Sequence, residues 1–322
     1  MGDQAEGGEN KSWLVSDGVQ AVRLDGFVRQ CLPHLSRQEV HRAIAEHGFL
    51  LNGKVARKGD RVNGGDRIFF VGPAVLLAET PPPAPQLEIP IIYEDDAILA
   101  VDKPAGVATH GFSGRDGATL ANFLAAQRPG ILNVGKSRWE PGLVHRLDIE
   151  TSGVVLIAKT QAAFVSLREQ FRRREIKKIY LALVWGQPTE RGTIELALAH
   201  ERGDKRRMVA VRQPERSADR RVWRAVTHYR VVATAGGLSL LEVEMETGVT
   251  HQIRVHLSSN GYPIVGDTLY GADYPENFGL ARHFLHARSL TLRHPVSGQL
   301  LCVNAGLAVE LREVLQRIGL PH

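Results

Sequence analysis

The stretch "HRLDIETSGVVLIAK", residues 145–159, sets a cation, an anion and a Thr-Ser-Gly corner directly before an apolar run. The run "VVLIAK", residues 154–159, has little polar alternation and predicts a strand buried on both faces. A corner leading into such a strand needs a glycine and polar groups, but no particular order of charges. Arg146 and Asp148 therefore stand out. Asp148 is either a reagent or a turn aspartate capping the Thr-Ser-Gly corner.

Further along, Phe164, Leu167 and Phe171 recur at helical spacing and predict a helix from about Gln161. "KIYLALVWG", apolar on both faces, predicts a central strand. In "LLEVEMET", Leu241, Val243 and Met245 alternate with Glu242, Glu244 and Glu246, the pattern of a half-exposed strand. Upstream, "IIYEDDAILAVDKPAGVATHG" predicts a strand over 98–101 running into a turn at Lys103-Pro104-Ala105-Gly106. Strands and hairpins interspersed with helices indicate an α+β fold with a mixed, mostly antiparallel central sheet and flanking helices.

The N-terminal part reads differently. In "SRQEVHRAIAEHG", Ser36 and Glu39 form a capping-box signature. Val40, Ala43, Ile44 and His47 share one helix face, and Gly48 suits the helix stop. "FLLNGKVARKGDRVNGGDRIFF" follows, with a type I′ hairpin signal at Asn52-Gly53. Arg37, His41, Arg42, Lys54, Arg57, Lys58 and Arg61 fall on polar positions of this small α+β unit. Then "GPAVLLAETPPPAPQLEIP" predicts an extended, semi-rigid spacer. The expected organisation is a disordered tail over 1–20, a small α+β module over 21–73, a proline-rich linker over 74–90 and a large domain over 91–322.

The 322 residues are 43% hydrophobic and 23% charged, as in ordinary globular proteins with an adequate core. No apolar run reaches the ~20 residues of a membrane span, and the first residues do not read as a secretory signal. Two distant cysteines, Cys31 and Cys302, argue against a disulfide framework and fit a reducing cytoplasm. The net charge is +5, yet residues 168–230 carry 17 Lys or Arg against 8 Asp or Glu. That concentration points to a polyanionic partner, nucleic acid first. The cluster Arg172, Arg173, Arg174, Lys177 and Lys178 either complements a helix C-terminus or holds phosphates. No dinucleotide or P-loop signature is present, so no nucleotide cofactor is indicated. His251 and His256 are spaced five apart, whereas a zinc helix wants four and a third ligand, so they read as structural or RNA-facing.

Three segments, "HRLDIETSG", "KKIYLALVWG" and "METGVTHQIRVHLSSNGYPIVGDTLYG", together resemble the RluA family of RNA pseudouridine synthases. With the KPAG turn and the N-terminal unit, which resembles the small alpha-L module named after ribosomal protein S-four, the likeness spans about 22–312. A related branch has Gly in place of the first histidine, so His145 favours the RluA branch. The resemblance implies isomerisation of uridine to pseudouridine in a structured RNA, most naturally large-subunit ribosomal RNA, with transfer RNA or a non-catalytic RNA-binding role as alternatives. It implies no metal and no cofactor, because nothing is oxidised and no group leaves. A monomer is favoured, though the sequence leaves oligomeric state open.

By the same resemblance, Asp148 attacks the sugar or takes a proton from it, Arg254 keeps it anionic, and Tyr180 lies against the base to remove the carbon 5 proton. Arg146 enters the space that the extruded nucleotide vacates. His145, Thr151, His251 and Gln252 complete the substrate site, while Arg37, His41, Arg42, Lys54, Arg57 and Lys58 face RNA. Arg254 is expected on a helix begun by Thr250. A two-carboxylate hydrolase would need a second acid near Asp148, and Glu150, the near neighbour, falls at a variable position of the family. The family's Thr-Gly-Arg-Thr-His reads here with Val249 in place of the arginine.

Overall fold

The computed structural model describes residues 11–33, 35–78, 80–111, 119–204, 206–213, 220–274 and 276–321. The described residues fall into two compact units, which divide between Pro82 and Pro83.

The first unit runs β1 (Ser12–Leu14), β2 (Val22–Arg23), α1 (Leu24–Cys31), α2 (Arg37–Ala45), β3 (Phe49–Leu51), β4 (Lys54–Val55), β5 (Arg61–Val62) and β6 (Arg67–Phe70). Four strands make a sheet in the order β1-β6-β3-β4, and β2 pairs with β5. Leu24, Val28, Val40, Ile44, Phe49 and Ile68 fill the core beneath them. The Ser36 hydroxyl accepts from the Glu39 N–H and the Glu39 carboxylate from the Ser36 N–H, so the capping box forms. At the other end of α2 the left-handed position is taken by His47, not Gly48. Gly48 is needed instead for clearance, since a Cβ there would lie 2.9 Å from the Ala43 carbonyl oxygen. Asn52 and Gly53 both have positive φ, as a type I′ turn between β3 and β4 requires.

One expectation at the edge of this unit needs correction. The tail expected over 1–20 is ordered from Ser12: β1 pairs with β6, and Val15 is buried. Residues 1–10 lie outside the described residues. The boundary between the units falls inside the proline-rich stretch 74–90, whose two ends are packed. Leu76 joins the core of the first unit, while Ala84 and Ile89 are buried in the second.

The second unit contains β7 (Ile91–Glu94), β8 (Ile98–Lys103), α3 (Leu120–Gln127), β9 (Ser152–Ala158), α4 (Gln161–Arg173) and β10 (Lys177–Trp185). There follow β11 (Arg191–Glu195), β12 (Ala197–His200), β13 (Met208–Val211), β14 (Val222–Trp223), β15 (Val226–Ala235) and β16 (Leu238–Met245). The chain closes with α5 (Gln252–Ser259), β17 (Leu285–Arg293), β18 (Leu300–Asn304) and α6 (Val309–Arg317). The main sheet has the order β11-β15-β16-β10-β17-β9-β8-β7, with β18 also on β17. Every pairing in it is antiparallel except β9 with β17. The expected α+β, mostly antiparallel architecture is what the chain adopts. β9 is buried along its whole length and β10 is central, as their uninterrupted apolar character predicts. Thr160 caps α4 by accepting the Ala163 N–H. A three-stranded sheet, β13-β12-β14, forms beside α5. No helix among the described residues is long and apolar enough to cross a membrane.

Candidate active site

The Thr-Ser-Gly corner opens onto the one parallel pairing of the sheet, Ser152 with His286 and Gly153 with Ala287. Gly153 has φ 114, and a Cβ there would lie 2.2 Å from the Ala287 carbonyl oxygen. Only glycine allows the two strands to approach so closely.

Residues 147–151, just before that corner, are tied down from three directions. Lys103, fully buried, donates to the carbonyls of Pro104 and Val107 at 2.8 Å and of Ile149 at 3.0 Å. Three acceptors use all three hydrogens of an ammonium, although burial pulls its pKa down to about 7. Thr109 Oγ1 donates to the Leu147 carbonyl at 3.0 Å and accepts the Leu147 N–H at 3.1 Å. Arg282 donates to the Glu150 carbonyl at 3.2 Å and to Ser152 Oγ at 3.0 Å, and it is itself paired to Glu310 of α6 at 2.7 Å. Thr151 Oγ1 is hydrogen-bonded to His283 Nε2 at 2.9 Å.

Asp148 stands at the apex of this clamped loop with its side chain 21% exposed. Arg254 Nη1 lies 3.6 Å from Asp148 Oδ2, and His251 Nε2 lies 3.9 Å from the same oxygen. These are electrostatic distances rather than hydrogen bonds. The tight partner of Arg254 is Asp267, which takes Nε at 2.7 Å and Nη2 at 2.8 Å in a bidentate fork. Asp267 is shut away from solvent, and Arg254 brings its charge close enough to hold the carboxyl below its usual range despite that burial. Tyr270 lies under the guanidinium, 5.0 Å from its ring centre. The Tyr270 hydroxyl accepts the Met208 N–H at 2.9 Å and is hydrogen-bonded to His251 Nδ1 at 2.8 Å.

Tyr180, Met245 and Leu285 form the apolar wall of the cleft whose rim is Arg146, Asp148 and residues 248–254. Burial, followed by the negative charge of Asp148, raises the Tyr180 phenol well above its ordinary pKa, so it is neutral at physiological pH. Arg146 is exposed at the mouth, its Nη1 3.3 Å from His110 Nε2. The fold thus brings Asp148, Tyr180, Arg254, Arg146, Thr151, His251 and Gln252 to one cleft.

Several of these side chains are committed to the scaffold. Gln252 accepts from Thr247 Oγ1 at 2.8 Å and from the Val249 N–H at 3.1 Å, and it donates to the Val226 carbonyl at 2.9 Å. It braces the loop in which Val249 stands. His145 accepts the Leu156 N–H at 2.9 Å and packs on Phe171, and burial lowers its pKa to about 3. His256 bonds Thr227 Oγ1 and the Leu196 carbonyl, both at 2.9 Å. The helix carrying Arg254 begins at Gln252 rather than at Thr250, and its N-cap is His251 in a left-handed conformation, φ 55. Among the described residues, no group of three or more His, Cys, Asp or Glu is placed to hold a metal ion. In the first unit Arg42, Lys54, Arg57 and Lys58 are exposed. His41 is instead drawn to the buried Asp25 at 2.8 Å, with Arg37 3.9 Å from the same oxygen.

Sequence reading missed Asp267, Tyr270, Lys103, Thr109, Arg282 and His283. Asp267 did leave a signal in "VGDTLYG": its Oδ1 accepts the N–H groups of Leu269 and Tyr270, the local turn chemistry an Asp at that place favours.

An anionic side chain opposed by a guanidinium, in a cleft whose rim also carries Arg146, suits an enzyme that works on a polyanion. The family of RNA pseudouridylate synthases matches residues 97–259, and the S4 domain family matches residues 22–68. An uncharacterised RNA pseudouridine synthase of Chloroflexus aurantiacus is 42% identical over 317 residues, covering 96% of this chain and 94% of that protein. The ribosomal large subunit pseudouridine synthase D of Xanthomonas campestris is 34% identical over 317 residues, covering 95% of this chain and 91% of its own. Among solved structures, human RNA pseudouridylate synthase domain containing 1 superposes with a TM-score of 0.55 at 26% identity, covering 74% of this chain and 97% of that chain. The chain belongs to the RNA pseudouridylate synthase family. It acts on RNA, isomerising uridine to pseudouridine.

Proposed function

We propose that the target uridines lie in large-subunit ribosomal RNA, that the work is done in the cytoplasm by a monomer, and that Asp148 is the reacting group. The observation carrying this reading is the placement of Arg254 Nη1 at 3.6 Å from Asp148 while its other nitrogens are spent on Asp267. The guanidinium places a positive charge beside the carboxylate without taking up its lone pairs in a hydrogen bond. An oxygen so poised can attack carbon 1 of the ribose or take a proton from carbon 2. The large-subunit assignment is supported by the name of the Xanthomonas relative, a ribosomal large subunit pseudouridine synthase.

Arg146, exposed at the mouth, would fill the stack as the nucleotide swings out. Tyr180 would lie against the base, and since its phenol is held neutral it must give up its own proton before taking one from carbon 5. The exposed Arg42, Lys54, Arg57 and Lys58 of the S4 unit would contribute phosphate contacts.

Replacement Asp148→Asn is expected to leave RNA affinity intact and abolish modification. Carbodiimide adducts that stop reverse transcription on large-subunit ribosomal RNA report it, and stops that persist would remove Asp148 from the mechanism. Tyr180→Phe is expected to bind RNA and to turn over at least about 100-fold more slowly, the lower bound of proton-transfer contributions. Retained turnover would leave Tyr180 a stacking role only.

A further inference from the structure

Beside the catalytic cleft, and sharing Arg146, Tyr180, Met245, Gly248 and Val249 with it, a second groove runs between α4 and the 223–224 segment. Its cations are of two kinds. Arg172, Arg174 and Arg224 each have a carboxylate partner: Glu169, Glu246 at 3.7 Å and Glu195 at 2.8 Å. Lys178 and Arg168 do not. Lys178, largely buried, donates to the Thr247 carbonyl at 3.0 Å, and Arg168 to the Val144 carbonyl at 2.8 Å. Among the described residues neither has an acid within ion-pair distance. Glu246, the carboxylate lining the groove, is occupied by His228 at 2.9 Å as well as by Arg174.

A buried ammonium with only a neutral acceptor is costly unless something anionic arrives to share it. The two acceptors are informative as well. Val144 leads into the Arg146–Asp148 rim, and Thr247 leads into the 248–254 rim, so each cation is anchored at the root of one lip of the cleft.

We propose that Lys178 and Arg168 form a subsite for a backbone phosphate of the RNA strand flanking the extruded uridine. This subsite rests on the proposed role of Asp148 and its cleft, and deepens it: it fixes the strand that passes the cleft, so that the ribose presented to Asp148 has a defined register. Burial lowers the Lys178 ammonium to about 8, and the single negative charge of a phosphodiester beside it would raise it again.

The test uses the full chain and two RNAs. With a single-stranded decamer of uridine, fluorescence anisotropy is read across salt concentration for wild type, Arg168→Ala, Lys178→Met and the double variant. Each single replacement is expected to lower the magnitude of the log affinity against log salt slope by about 0.7, one contact on a single strand. The charge-keeping Arg168→Lys is expected to recover the slope. With a large-subunit ribosomal RNA transcript, the loss is expected in KM rather than kcat. Unchanged slopes would overturn the subsite, as would a fall in kcat with affinity intact, which would mark a positioning role through the adjoining loops. Should Lys178→Met melt early, the exposed Arg168 decides alone. If the wild type forms no pseudouridine in the transcript, the substrate assignment fails, while the decamer slopes still judge the subsite.

Discussion

At the scale of single residues, Arg254 is shared unequally between two aspartates. Asp267 holds two of its nitrogens within 2.8 Å, and Asp148 receives the remaining face at 3.6 Å. Burial alone would lower the pKa of Arg254, but the Asp267 hydrogen bonds and the nearby charges raise it instead. If Asp267 were neutral, the guanidinium would lose its anchor and could swing to bond Asp148 directly, tying up the reacting oxygens. Asp267→Asn is therefore expected to cost about 3 kcal/mol or more of stability, as half-broken buried ion pairs do. It should also slow single-turnover modification under conditions where the variant is still folded. Urea unfolding and a quenched time course check the two losses separately; a stable variant of normal rate would show that Arg254 needs no such anchor.

At the scale of elements, the decisive feature is the parallel contact of β9 with β17 in an otherwise antiparallel sheet. Gly153→Ala places a Cβ 2.2 Å from the Ala287 oxygen at φ 114. Strain and overpacking together are expected to cost about 3 kcal/mol or more, read as a fall in melting temperature along with loss of activity. β9, β10, α4 and the α2 cap were legible because apolar period and capping chemistry are local signals, carried within a dozen residues. The Asp148, Tyr180 and Arg254 trio was legible only through the family resemblance. What holds the trio was not. Lys103 reads as a turn lysine, and nothing nearby in sequence says that its ammonium will meet the Ile149 carbonyl. Arg282 and Thr109 act across gaps of 132 and 38 residues, where neither periodicity nor spacing reaches. The start of α5 was misread because a Thr is the better N-cap by propensity, whereas the Gln252 side chain accepts the Val249 N–H and moves the turn onward.

At the scale of the whole molecule, charge and protonation set the response to conditions. His283 and His286 are buried and His145 is half-buried, and desolvation lowers the pKa values of His145, His283 and His286 to about 3, 3 and 4. In the unfolded chain they bind protons near pH 6.5. Between those limits the unfolded state holds more protons than the folded one, so stability is complete above about 6.5 and is lost as pH falls towards 3–4. Each site contributes at most about 1.4 kcal/mol per pH unit in that window. Urea midpoints measured from pH 7 to pH 4 should fall steeply, and His145→Gln should flatten the trend; an unaltered slope would show that His145 is not among the groups responsible. In the S4 unit, joint replacement of Lys54, Arg57 and Lys58 by Ala is expected to reduce the salt slope of RNA affinity by up to about 2, with folding unaffected because all three are exposed. An unchanged slope would place the RNA elsewhere.

The tether from the Asp148 loop to Arg282, and from Arg282 to Glu310, has a consequence for biosynthesis. While a ribosome is still making the chain, Asp148 emerges long before either of its braces. Lys103 and Thr109 can hold the loop from the start, but the brace from Arg282 and Glu310 closes only once residues up to 310 have left the exit tunnel, so this part of the fold is completed late in synthesis.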